Sequence, residues 1–67
     1  MIKCRLKVLL AEHDMTQKEL AEKTGLQQNL ISKMCRNVLK QYPIESLNQI
    51  CKTFNCNVSD ILEYIEN

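Results

Sequence analysis

An all-α fold of five short helices is what this 67-residue sequence predicts, and three observations predict it. Apolar residues recur at three- and four-residue intervals in one segment after another. No alternation of apolar and polar residues persists long enough to mark a strand. Between the periodic segments stand residues that start and stop helices: Thr16 with Glu19 three positions on, Gly25, Pro43, and Asn57 with Asp60.

The first helix is expected over Lys3–His13, where Leu6, Leu9 and Leu10 fall at helical spacing. His13 at its end has two readings: a protonated ring favoured by the negative end of the helix dipole, or a surface histidine with no role. The second helix starts at Thr16. Its hydroxyl is placed to accept the Glu19 amide while the Glu19 carboxylate reaches back to the Thr16 amide, a capping box. Met15 and Leu20 flank that cap as a hydrophobic staple, and Ala21 is small enough to admit a close neighbour. Gly25 can take the left-handed conformation that ends the helix.

The third helix runs from Gln27 or Gln28 to about Arg36. At roughly 100° per residue, Ile31, Met34 and Cys35 share one face, with Asn29, Ser32, Lys33 and Arg36 opposite and Gln28 at the leading end. That outer face offers amides, a hydroxyl and cations where an ordinary surface helix carries Glu–Lys pairs. Leu30, on the flank, is suited either to a thymine methyl or to the edge of the core. Residues 37–43 form a loop closed by Pro43, which blocks helix continuation. The fourth helix, about Ile44–Phe54, places Leu47, Ile50, Cys51 and Phe54 on one stripe. After a break at Asn55-Cys56-Asn57, Asn57 caps a last helix with Asp60 strengthening its start. This segment carries Ile61, Leu62, Tyr64 and Ile65, more apolar surface than one core face requires.

Length and composition describe one small domain, residues 1–67. A chain of this size buries only about 60% of the surface it exposes unfolded. Its 45% apolar and 25% charged residues are ordinary for a globular protein. No apolar run approaches the ~20 residues of a membrane helix, and no signal-peptide block is present, so a cytoplasmic location is expected. Four cysteines, Cys4, Cys35, Cys51 and Cys56, are then expected as reduced structural thiols. They form no CxxC, and His13 has no partner at ligand spacing, so no metal is expected. The net charge is only +1 but unevenly spread. Residues 1–40 hold eight basic against four acidic side chains, a balance of +4; residues 41–67 hold one against four, −3. The basic part contains the second and third helices, which fits one phosphate-facing side.

The whole pattern resembles the Cro/C1-type helix-turn-helix family, the XRE-like domains of phage repressors and many bacterial regulators. The landmarks are Met15-Thr16-Gln17-Lys18-Glu19-Leu20-Ala21, Gly25-Leu26 and Ile31-Ser32-Lys33-Met34, then residues 47–54 and 58–62. The likeness covers nearly the whole chain and implies a five-helix, lambda-repressor-like domain with its helix-turn-helix over about residues 16–36. By that resemblance Gln17 anchors a DNA phosphate. Gln28, Asn29 and Lys33 face base edges in the major groove, with Ser32 beside them. Arg36, Asn37 and Lys40 meet the DNA backbone. Two departures stand out: Gln27 replaces the usual Ser or Thr cap, and Asn37 is followed by Val38 rather than glycine.

The side-chain chemistry suits these roles independently. Gln and Asn pair bidentately with adenine, and Lys donates to guanine, each good pair giving about 1–3 kcal/mol of discrimination. The expected function is a sequence-specific regulator of transcription, repressor-like, binding double-stranded DNA as a homodimer. Ile61, Tyr64 and Ile65 are the interface residues, unless they simply close the core. The alternative is an antitoxin- or adaptor-like interaction module that keeps the fold without reading DNA. No nucleophile–base pair, phosphate loop or paired carboxylate points to catalysis, so no catalytic residue and no cofactor is expected. Nor is a membrane or a small-molecule substrate, since no segment is set apart for ligand sensing.

Overall fold

Six side chains with no exposed surface, Leu6, Leu20, Ile31, Met34, Ile50 and Ile61, define the centre of the molecule. A computed structural model describes residues 1–66 and draws these six from five helices in the expected order. The helices are α1 (Leu6–Glu12), α2 (Gln17–Thr24), α3 (Gln28–Cys35), α4 (Ile44–Phe54) and α5 (Val58–Ile61). Leu9, Leu10 and Phe54 complete the helical core, and Leu30, Leu39, Tyr42 and Leu47 pack on its margin. Leu30 therefore belongs to the core edge.

Local signals set most helix ends. In α2 the Thr16 hydroxyl accepts the Glu19 amide at 3.1 Å and the Glu19 carboxylate accepts the Thr16 amide at 3.0 Å. The α4 bounds coincide with those expected, its start following Pro43 and its end turned by Asn55 at φ 53°. At α5 the Asp60 carboxylate accepts the Asn57 amide at 2.9 Å. The His13 ring, past the end of α1, lies 4.6 Å from the Phe54 ring, a packing role not foreseen for it.

Two segments expected to be helical are strands. Residues 3–5 do not belong to the first helix; β1 (Ile2–Cys4) precedes it. The last helix ends at Ile61, and β2 (Leu62–Tyr64) follows, because Leu62 leaves helical geometry at φ −118° and ψ 137°. The strands pair antiparallel, Ile2 with Tyr64, Lys3 with Glu63 and Cys4 with Leu62. Beyond them the Met1 ammonium donates to the Ile65 carbonyl at 2.6 Å, and the Ile65 amide to the Met1 carbonyl at 2.8 Å. The expected interface residue Ile61 must be corrected: it has no exposed surface and belongs to the core. Full burial of such a side chain contributes about 1.5–3 kcal/mol to folding, which offering it to a partner would forfeit.

Candidate nucleic-acid interface

The turn between α2 and α3 is built from two residues. Gly25 takes the left-handed conformation at φ 76°, its amide reaching the Ala21 carbonyl at 2.9 Å. Thr24, which sequence reading passed over, fixes the turn with its hydroxyl. That group donates to the Leu20 carbonyl at 2.7 Å and accepts the Leu26 amide at 3.2 Å. Its β-hydroxyl at a helix end, one position before glycine, was the available signal. Gln27 then precedes α3 without a side-chain capping bond, as its replacement of Ser or Thr implied.

Ile31 and Met34 bury the inner face of α3 completely, which orients the remainder of the helix. Gln28 and Asn29 are exposed at its leading end; Ser32 and Lys33 are half-buried one turn on, and Arg36 is exposed at its close. The helical step places Asn29, Ser32, Lys33 and Arg36 on the side away from Ile31 and Met34, with Gln28 on the flank at the leading end. Gln17, the first residue of α2, is half-buried, and Lys40 is exposed in the loop after α3. The structure thus brings Gln28, Asn29, Ser32, Lys33 and Arg36 onto one helix. Gln17 stands at the start of the helix before it.

Asn37 departs from its expected role. It adopts the left-handed conformation at φ 59°, ending α3 with bonds from its amide to Met34 at 3.1 Å and from the Val38 amide to Lys33 at 3.2 Å. This is the C-terminal cap that glycine commonly supplies. Its carboxamide, expected at the DNA backbone, instead accepts the Cys4 amide at 2.6 Å and donates to the Cys4 carbonyl at 3.2 Å. Both functional groups of the side chain are committed to β1. We therefore remove Asn37 from the set of side chains offered to phosphate.

The four cysteines are free thiols, with Cys4 buried and the other three half-buried. Burial is the main cause that raises the Cys4, Cys35 and Cys56 thiols above their ordinary value, which keeps them protonated and uncharged near neutrality. The cations among the candidate interface residues are Lys33, Arg36 and Lys40.

Comparison with known proteins adds three findings. A sequence model of the Cro/C1-type helix-turn-helix DNA-binding domain matches residues 5–67. The uncharacterised helix-turn-helix-type transcriptional regulator YozG of Bacillus subtilis is 35% identical over 57 residues, spanning 85% of this chain and 68% of that protein. A crystal structure from Bacteroides fragilis, of a protein assigned as a candidate DNA-binding protein, is similar with a TM-score of 0.80 and 32% identity. That likeness covers 94% of this chain and all of the other.

Proposed function

The chain belongs to the Cro/C1-type helix-turn-helix DNA-binding domain family, and from that premise we propose that it is a sequence-specific regulator of transcription, repressor-like in action. In this reading α3 enters the major groove, where Gln28, Asn29, Ser32 and Lys33 meet base edges. Gln17 at the start of α2, with Arg36 and Lys40 after α3, grips the phosphates. The observation that carries the reading is the anchoring of α3: Ile31 and Met34 are fully buried, so its amide and cationic side chains are held outward together.

One such domain touches few base pairs. A homodimer doubles the contacts and matches a two-fold site with half-sites about 34 Å apart. Bound at a promoter in the cytoplasm, it acts by occupancy, competing with polymerase for the same DNA. Selection from random duplexes tests the reading, and a reproducible, two-fold enriched motif is the expected result. Failure to enrich any motif at low salt, from folded protein, would overturn it in favour of an interaction module that keeps the fold without reading DNA.

A further inference from the structure

The terminal sheet has two edges, and the fold treats them differently. Met1 and Ile65 exchange both backbone bonds, at 2.6 and 2.8 Å, and the Arg5 amide donates to the Ile61 carbonyl at 2.6 Å. Bonded and non-bonded pairs alternate in antiparallel strands, so Lys3 with Glu63 is the bonded pair between them. Ile2, Cys4, Leu62 and Tyr64 consequently turn their main-chain groups outward, toward the sheet edges. On the β1 edge Asn37 occupies both groups of Cys4, which stops an incoming strand from running along it. On the β2 edge the Leu62 amide donates to Val58. The Leu62 carbonyl and both Tyr64 groups have no main-chain partner among the described residues. Beside this open edge lies an overhanging apolar pair, Tyr64 at 72% exposure and Ile2 directly across from it at 59%.

We propose that a second copy of this chain pairs antiparallel along β2, with the two-fold axis passing at Tyr64. The proposal rests on the DNA-reading homodimer above and gives that dimer its surface. In this register Tyr64 exchanges two bonds with its counterpart. Each Glu66 amide reaches the Leu62 carbonyl of the other copy, the one Leu62 group left free. The apolar pair becomes a continuous row across four strands, Ile2, Tyr64, Tyr64 and Ile2. Charge selects the same register: it sets Glu63 opposite Ile65, whereas shifting the axis to Glu63 would face two carboxylates directly, which is destabilising. With the Leu62 amide committed to Val58, the axis at Tyr64 retains four main-chain bonds between the copies, whereas the axis at Glu63 retains two. A self-complementary patch on a two-fold axis closes the assembly at two copies and leaves no template for fibres.

Hydrogen exchange on the unmodified chain at micromolar and near-millimolar concentration tests this without relying on a variant. The Tyr64 and Glu66 amides should gain protection with concentration while the Ile2 amide does not; unchanged exchange at Tyr64 would overturn the proposal. Sedimentation of Tyr64→Pro and Tyr64→Lys gives a second reading. Proline there removes an outward amide and spares the β1–β2 bonds, and lysine sets like charges across the axis. Either folded variant should sediment as a monomer under conditions where the parent is a dimer, and a dimeric folded variant would refute the interface. Half-site duplexes separate the two ideas. A monomeric parent that still enriches a motif defeats the β2 interface alone, and a Tyr64-centred dimer that enriches none defeats DNA reading alone.

Discussion

Asn37 holds a left-handed backbone at the end of α3 and satisfies both main-chain groups of Cys4. The two tasks separate by substitution. Asn37→Gly keeps the conformation and leaves the Cys4 amide and carbonyl without their partner, a loss of about 1–3 kcal/mol for part-buried groups. Asn37→Ala adds the left-handed strain of an ordinary residue, about 1–2 kcal/mol more. Urea unfolding should rank parent, Gly and Ala in that order, and equal midpoints for Gly and Ala would remove the strain from the account. Gly25 offers the complementary case. A Cβ built there meets no atom within 4 Å, so Gly25→Ala should cost only the strain of φ 76°, about 1–2 kcal/mol. Asn, which tolerates that region, should cost less. On the DNA side, Lys33→Ala should relax preference at one base position by about 1–3 kcal/mol, read as a flattened position in the enriched motif with the others retained.

At the scale of elements, α2 stands on its capping box. Thr16→Ala should destabilise the domain by about 1 kcal/mol, which for so small a domain lowers Tm by about 4–8 °C. The same bonds give the fold an acid sensitivity. The Thr16 amide, and next the Thr16 hydroxyl, hold the Glu19 carboxyl below its ordinary 4.5. A depressed folded value means that this contribution is whole above the unfolded value of 4.5 and is lost as pH falls through the folded one. Unfolding midpoints measured downward from neutrality should therefore decline through the acid range, and Glu19→Gln should make that decline shallower. An unaltered acid slope in Glu19→Gln would show that the box has no part in it. These short-range signals explain what was legible in the sequence. The Thr16 box, the Gly25 turn, the outward face of α3 and both bounds of α4 are written in residues three to five positions apart. The strands were not legible, because three residues are too few to display an alternation, and Ile2 finds its partner Tyr64 at the far end of the chain. The destination of the Asn37 side chain was hidden for the same reason. Its left-handed backbone follows from residue type, whereas Cys4 lies 33 positions away. Ile61 is surplus apolar surface only if the segment through Ile65 is one helix, and the chain leaves helical geometry at Leu62.

For the whole molecule the charge distribution matters more than its sum. A net +1 is too small to draw a protein to DNA by itself, yet Lys33, Arg36 and Lys40 lie together in the basic stretch that ends at residue 40. Binding should consequently weaken with salt according to the phosphates actually neutralised, each contributing about −0.9 to the slope of log affinity against log salt. Lys40 is exposed and lies in the loop after α3, outside the residues proposed to face bases. Lys40→Ala should therefore lower affinity by a similar factor on every sequence and leave the enriched motif unchanged. On a half-site the slope should become shallower by about 0.9, and on a full two-fold site by about 1.8, because each copy loses one phosphate contact. Asn37→Gly removes a side chain spent on Cys4 and should leave DNA affinity at fixed salt where it was. A loss of affinity from folded Asn37→Gly at fixed salt, with the slope unchanged because the amide is neutral, would mean that the carboxamide leaves Cys4 to meet phosphate. A change for Lys40→Ala that is no larger on the full site than on the half-site would mean that only one copy binds.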